Sequence, residues 1–317
     1  MKKIFLILFF PAVFPLSCSE DINPNAQFRE RYVLNCILNG DSSKQIVTIL
    51  KTYKTENFDP LSNSENPFIK NADVKLWHKN KLYQFSDSSI SSGGVQRYEG
   101  ENSFYFNKDL RLEPGEYADI EALLPNGLRL SAELKIPSVN ISFSGSDDQI
   151  PNKTKGDIIN IVWNHLEELM FSPKFVIKYF DFSSGSAVQK MIEVPIKYIS
   201  INGKEEPYYP KPSANKGYRI DLDVFNKTLL SISTDEKNRN YYTILGFSVI
   251  MQIYDESLSL YFNSIQNSSD RFTVNLNENN YTNIKGGYGI FGAFITKEHK
   301  ILLDRDYIKS LGFKTGF

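Results

Sequence analysis

Leu128-Arg129-Leu130-Ser131-Ala132-Glu133-Leu134-Lys135-Ile136 places an apolar residue at every even position and a polar one at every odd position. Successive side chains point to opposite faces of a strand, so this stretch reads as a β-strand with one dry face and one wet face. Just before it, residues 117–124 set Ala118, Ile120, Ala122 and Leu124 on one side. Pro125-Asn126-Gly127 joins the two segments. In such a turn Pro presets φ, and Asn or Gly tolerates positive φ. The pair is predicted to be a hairpin.

Working outward, residues 31–39, 45–53, 72–78, 81–85 and 103–106 are shorter strand candidates with Gly, Ser or Asn between them. About seven strands over roughly 110 residues, with no long helical period, predict a β-sandwich of immunoglobulin or transthyretin type over residues 28–137. Pro137 closes it. Residues 140–155 are rich in Ser, Asp and Asn and read as a linker or long loop. After them, residues 157–163, 174–182, 188–199, 218–225 and 241–254 are strand-like, whereas 202–216, with Pro207, Pro210 and Pro212, is loop-like. One helix stands out: Asp255 is placed to cap it, and Leu258, Tyr261, Phe262 and Ile265 follow at helical spacing until Asn267-Ser268-Ser269. Residues 272–276, with Phe272, Val274 and Leu276 on one face, and residues 289–295 look like closing strands. The expected fold is mainly β. An N-terminal immunoglobulin/transthyretin-like sandwich is followed by a larger β-rich domain, residues 138–317, with one or two short helices. No repeat with a period of about 20 to 50 residues recurs.

Composition is consistent with a sizeable core. Among 317 residues there are 23 Phe, 18 Tyr and 2 Trp, and 41% are apolar, which argues against disorder for most of the length. The chain carries 36 basic and 37 acidic groups. Loss of Lys2 and Lys3 with a cleaved leader leaves 34 against 37, a net charge near −3. A nucleic-acid-binding surface needs a basic face, so this class is set aside.

Met1-Lys2-Lys3 is a short positive region, and residues 4–16 form an apolar run broken by Pro11 and Pro15. A membrane-spanning helix needs about 20 apolar residues, so the run reads as a signal peptide, residues 1–17. Ser17 is small and Cys18 follows directly. This order resembles a lipobox, in which diacylglycerol is attached to the thiol before cleavage. The usual pattern has Leu three residues before the Cys; here Pro15 holds that place and Leu16 follows it. An ordinary secretory leader with an incidental Cys is the alternative. Residues 18–27 are polar and Pro-broken and read as a flexible tether. Glu20 and Asp21, just after the Cys, resemble a surface-export signal. One acyl chain holds a protein only marginally, at about 0.8 kcal/mol per buried CH₂; a diacylglycerol plus an N-linked palmitate-type chain holds it permanently. If Cys18 is lipidated, Cys36 is left alone in an apolar strand-like run and is expected to be a buried, inert thiol. A Cys18–Cys36 disulfide is the rival reading.

Candidate chemistries are few. His78, His165 and His299 lie far apart, and His165-Leu166-Glu167-Glu168-Leu169 lacks the second His of a zinc helix. They read as surface or packing residues, and neither a metal nor a cofactor is expected. No G-x-S-x-G nucleophile elbow occurs, and Ser183-Ser184-Gly185-Ser186 reads as a turn. Gly287-Tyr288-Gly289-Ile290-Phe291-Gly292 matches G-x-G-x-x-G literally. A dinucleotide loop needs a strand before it and a helix after it, however. The glycines are expected instead to permit tight turning, or close approach of Tyr288 and Phe291 to the core. Asp147-Asp148, Glu205-Glu206 and Asp221 with Asp223 are carboxylate pairs. On one strand face the last pair has the placement that a Ca²⁺ site or acid/base chemistry needs. Yet with 37 acids in the chain a solvated face is the simpler reading. No catalytic residue is assigned. Tyr208-Tyr209, in the Pro-rich loop, are the best-placed aromatics for contact with a glycan or peptide ligand.

A wider pattern joins these pieces. It comprises Cys18, Val33-Leu34-Asn35 with Asn39-Gly40, Asn71-Ala72-Asp73-Val74, Leu112-Glu113-Pro114-Gly115-Glu116-Tyr117, and the 125–137 hairpin. It continues in residues 254–262 and in Asn283-Ile284-Lys285-Gly286-Gly287-Tyr288-Gly289-Ile290-Phe291-Gly292-Ala293. Over nearly all of the mature chain this resembles a family of Bacteroidota lipoproteins known as a domain of unknown function, number 4249. The resemblance implies an outer-membrane lipoprotein, lipid-anchored on the cell surface or the periplasmic face. It also implies an immunoglobulin-like N-terminal part and a gene beside a TonB-dependent nutrient receptor. The family has no established catalytic residues. The function expected is therefore non-enzymatic: an accessory or ligand-binding partner of such a receptor. The alternatives are an adhesin-like or structural envelope module and a carboxylate-dependent hydrolase.

Overall fold

The computed structural model describes residues 28–54, 63–91, 98, 100–152, 154, 156–268 and 281–317. The leader, Cys18, the tether to residue 27 and the expected 272–276 strand lie outside the described residues.

All seven strands expected before Pro137 form: β1 (Tyr32–Asn39), β2 (Gln45–Lys51), β3 (Asp73–His78), β4 (Lys81–Ile90), β5 (Asn102–Asn107), β6 (Tyr117–Leu123) and β7 (Arg129–Lys135). Their order in space is β1-β2-β5-β4-β3-β6-β7. The β6–β7 hairpin pairs Ala118 with Leu134, Ile120 with Ala132 and Ala122 with Leu130, and all six side chains are buried. Strand β4 does two jobs. Its first half pairs with β3 (Val74↔Phe85) and its second with β5 (Ser86↔Phe106), so one strand passes between the two layers of a sandwich. That second half, Ser86-Asp87-Ser88-Ser89-Ile90, runs five residues beyond the expected end. It is almost wholly exposed and so carries no apolar alternation for a periodicity reading to detect. Leu34, Cys36, Leu38, Val47, Ile49, Val74 and Leu76 enter one continuous core with the hairpin residues. Cys36 is 1% exposed and unpaired, and burial pushes its thiol well above the ordinary range, which makes it inert as expected.

The remainder comprises β8 (Ile141–Ser142), β9 (Gln149–Ile150), β10 (Ile158–Val162), β11 (Asn164–His165), β12 (Phe171–Asp181), β13 (Val188–Val194), β14 (Lys197–Ile201), β15 (Lys204–Tyr208), β16 (Gly217–Asp221), α1 (Leu222–Leu230), β17 (Tyr242–Tyr254), α2 (Glu256–Ser268), β18 (Tyr288–Leu303), α3 (Arg305–Ser310) and β19 (Lys314–Thr315). This part of the structure departs from the expected elements: β8 and β9 form within residues 140–155, and the expected 188–199 strand divides into β13 and β14. Residues 218–225 are not all strand: the chain turns at Asp221 into α1, because Phe225 and Leu229 bury at helical spacing. Within the expected 202–216 loop, β15 forms a two-stranded ribbon with β14, where an edge strand tolerates Pro207. Strand β18 runs eight residues past Ile295 through Thr296-Lys297-Glu298-His299-Lys300, whose polar side chains masked it. The helix capped by Asp255 is present as α2.

Strand β18 joins the two parts of the sheet. Residues 288–294 run parallel to β1 (Val33↔Tyr288 to Asn39↔Phe294), and residues 294–301 run antiparallel to β17. The sheet therefore continues β13-β12-β17-β18-β1-β2, and Arg31–Phe317 is one compact unit. Gly289 and Gly292 of the glycine block sit inside this strand, with Gly287 just before it, rather than in a strand-turn-helix. A Cβ on Gly289 would lie 2.1 Å from the Leu34 carbonyl oxygen, and one on Gly292 would lie 2.4 Å from Leu258 of α2. Phe291 is fully buried, as expected; Tyr288 instead stays 38% exposed, with the Arg31 guanidinium 5.0 Å from its ring centre. The molecule is mainly β, an N-terminal sandwich followed by a larger β-rich part with short helices.

Candidate functional site

The two tyrosines singled out by sequence are separated by the structure. Tyr208 ends β15 opposite Lys197 of β14, and the Lys197 ammonium lies 5.3 Å from the centre of the Tyr208 ring. Tyr209 lies just past the end of β15 and meets other neighbours. Its hydroxyl is pushed up by burial first and then by Glu193 and Tyr198, and burial also pushes up the Glu193 carboxyl.

Tyr208 and Lys197 line a cleft of about 430 Å³ with Lys211, Ser213, Tyr218 and Arg219. The position of each follows from local structure. The Pro-rich segment is pinned to β12 by two backbone hydrogen bonds between Ser213 and Phe171, at 2.8 and 3.0 Å. Tyr218, on β16, forms an apolar floor, with ring centres 6.0 Å from Trp163 and 5.9 Å from Phe175. Its hydroxyl meets that of Ser213 at 3.3 Å. Lys197, Lys211 and Arg219 thus bring three cations to one groove. Among the described residues none of them forms an ion pair, unlike Lys227, which meets Glu205 at 2.6 Å. Unpaired cations beside two aromatic faces suit a ligand bearing carboxylate or phosphate with some apolar or planar surface.

The other candidates resolve into structural roles. His78 is buried; its Nδ1 donates to the Tyr117 carbonyl at 2.8 Å and its Nε2 accepts the Glu113 N–H at 3.1 Å. His165 is buried with its Nε2 3.3 Å from the Ser138 carbonyl oxygen, and His299 stacks on Phe143 at 4.3 Å. Asp221 precedes α1 and Asp223 lies in its first turn, so the strand face expected to carry both does not exist. Asp147 is buried and accepts the Asn160 N–H at 2.7 Å and the Asn152 amide at 3.1 Å. Among the described residues no group of three or more His, Cys, Asp or Glu is placed to hold a metal. Lys197, Lys211 and Arg219 carry no motif in the sequence; a ribbon, a proline loop and a strand bring them together.

Fold and groove define a mainly-β protein organised around one long mixed sheet. Residues 19–300 match the profile of a single family, and the chain belongs to it: the domain of unknown function DUF4249. No curated protein matches the chain. Among solved structures it aligns with the full ectodomain (Ig1–Ig3) of mouse nectin-like molecule 4 at 8% identity and a TM-score of 0.19. That alignment covers 86% of this chain and 64% of the other.

Proposed function

We propose that this protein is a non-enzymatic lipoprotein of the outer membrane, held by Cys18, which binds an anionic ligand as a partner of a TonB-dependent receptor. The observation that carries the ligand class is the groove of Lys197, Lys211 and Arg219 around Tyr208 and Tyr218. The anchor rests on the order of charged, apolar and small residues that ends at Ser17-Cys18. The receptor rests on the family resemblance.

Binding is tested by calorimetry on the mature chain with tetraglutamate against tetraglutamine. The acidic peptide is expected to bind, and the Lys197→Ala/Arg219→Ala double variant to lose about tenfold or more of that affinity, along with most of its salt dependence. Equal binding of both peptides, or of neither, rejects the groove. For the anchor, mass spectrometry of the mature N-terminus is expected to find an acylated Cys18, and Cys18→Ala to release the chain from membranes. An unmodified thiol removes the lipoprotein reading, and absence of any barrel after crosslinking in the native host removes the receptor.

A further inference from the structure

A second cavity, of about 510 Å³, opens at the other end of α1. Its wall is built from the loop after α1, a 3₁₀ turn (Glu236–Tyr241), the start of β17 and the hairpin residue Ser183. No Lys or Arg lines it. We propose that this cavity is a binding site for a neutral saccharide.

The first support is a preorganised polar pair. Asp235 accepts the Lys237 N–H at one carboxylate oxygen and the Asn238 amide at the other, both at 3.0 Å. A carboxylate offers about four lone-pair sites, so two acceptor positions stay open. Asn238 keeps its second N–H and its carbonyl oxygen available. The backbone holds the loop rigid: Asn238 N–H donates to the Asp235 carbonyl at 3.1 Å, and the Ser233 hydroxyl donates to the same oxygen at 2.9 Å. The second support is the set of hydroxyls. Thr234, Tyr241 and Tyr242 line the cavity, and among the described residues their side-chain hydroxyls are not engaged by protein partners, whereas the Ser183 hydroxyl is held by the Asp181 carboxylate. Such groups both donate and accept, which matches the paired donor and acceptor character of sugar hydroxyls. The third support is a platform. Tyr241 is 49% exposed at the cavity mouth, while its backbone carbonyl is fixed by the Phe182 N–H at 3.0 Å. An exposed, positionally fixed aromatic face is suited to the apolar face of a pyranose. With no cation in the wall, phosphorylated and acidic ligands gain nothing here, which separates this site chemically from the Tyr208 groove.

The experiment uses the full mature chain and three probes, maltotriose, cellotriose and xylotriose, read by saturation-transfer NMR and calorimetry. At least one is expected to bind. Tyr241→Ala is expected to weaken it about tenfold or more while Tyr241→Phe, which keeps the ring, stays within about threefold. Thermal denaturation of both variants shows that each is folded. Tyr208→Ala, in the other groove, is expected to leave saccharide binding unchanged. The proposal fails if none of the three probes binds, if folded Tyr241→Ala binds as the parent does, or if Tyr208→Ala removes the binding. Retention of tetraglutamate binding by Tyr241→Ala keeps failure here distinct from failure of the anionic groove.

Discussion

Gly289→Ala is expected to destabilise the Arg31–Phe317 unit severely. Gly289 lies in β18 directly opposite Leu34 of β1, with φ at +109°. An added Cβ would stand 2.1 Å from the Leu34 carbonyl oxygen and 3.0 Å from the Asn35 side-chain oxygen. Non-bonded carbon and oxygen do not approach so closely, so the β1–β18 ladder must open where the two parts of the sheet meet. Backbone strain at this φ costs about 1–2 kcal/mol, and overpacking of a rigid neighbour adds about 1–3 kcal/mol or more. Together these come to about 2–5 kcal/mol or more, a large part of the whole stability of an ordinary domain, about 5–15 kcal/mol. A comparison isolates the collision from the strain. Gly127, in the turn of the β6–β7 hairpin, has φ of +83° but nothing within 4 Å of its hypothetical Cβ. Gly127→Ala should therefore cost only the conformational term, and its melting temperature should fall by a few degrees. Gly289→Ala should give insoluble protein, or a melting temperature lower by more than about 10 °C. Equal effects of the two substitutions on circular-dichroism melts would show that the seam is not tightly packed.

The same strand explains what could be read in advance. Where one face of a strand is dry and the other wet, alternation is written into the residues, as in 117–136, and the pairing follows from the turn between. Where a strand's outer positions carry charge, or both faces are wet, the code vanishes. The second halves of β4 and β18 were invisible for that reason, although their backbones pair as well as any other. Helix α1 was hidden differently, since Tyr218, Ile220, Leu222 and Val224 alternate as a strand would until Phe225 and Leu229 impose the helical spacing. The groove was half legible: Tyr208 stood out as an aromatic in a proline loop. The cations that give the groove its character lie at positions 197, 211 and 219 and meet only through β14–β15 pairing and the Ser213–Phe171 anchor. Asp255 was readable as a helix cap, but its partner Ala293 lies 38 residues away, and no local pattern announces it.

That longer reach gives Asp255 an expected pH signature. Its carboxylate is 2% exposed; one oxygen accepts the N–H groups of Leu258 and Ala293, at 3.1 and 3.0 Å, and the other accepts that of Ser257 at 3.2 Å. Its own N–H donates to the Ala293 carbonyl at 2.9 Å, so this residue ties α2 to β18. Burial pushes the carboxyl from 3.8 up to about 6, against the opposing pull of those hydrogen bonds. A folded-state value above the unfolded one means that the native state holds the proton more tightly. The resulting stability is fully present below about pH 3.8 and is lost as pH rises through about 6. A shift of about two units corresponds to about 3 kcal/mol. Asp255→Asn carries no titrating proton, and its carbonyl oxygen can keep the Leu258 and Ala293 bonds while losing the weaker one to Ser257, a cost of about 0.5–1.5 kcal/mol. The stabilities of parent and variant should therefore cross. Near pH 4 the parent is the more stable, and near pH 7.5 the variant equals or exceeds it. Other titrations, such as that of Asp181, whose carboxyl its partners hold down near 2, act alike in both chains and cancel in the difference. Denaturant midpoints measured in parallel from pH 4 to 7.5 decide the matter, and curves that stay parallel would rule out an upward shift of the Asp255 carboxyl on folding. Asp255→Ala should be worse at every pH, because it strands three backbone N–H groups at about 1–3 kcal/mol each. The carboxylate is thus kept for its acceptors rather than for its charge.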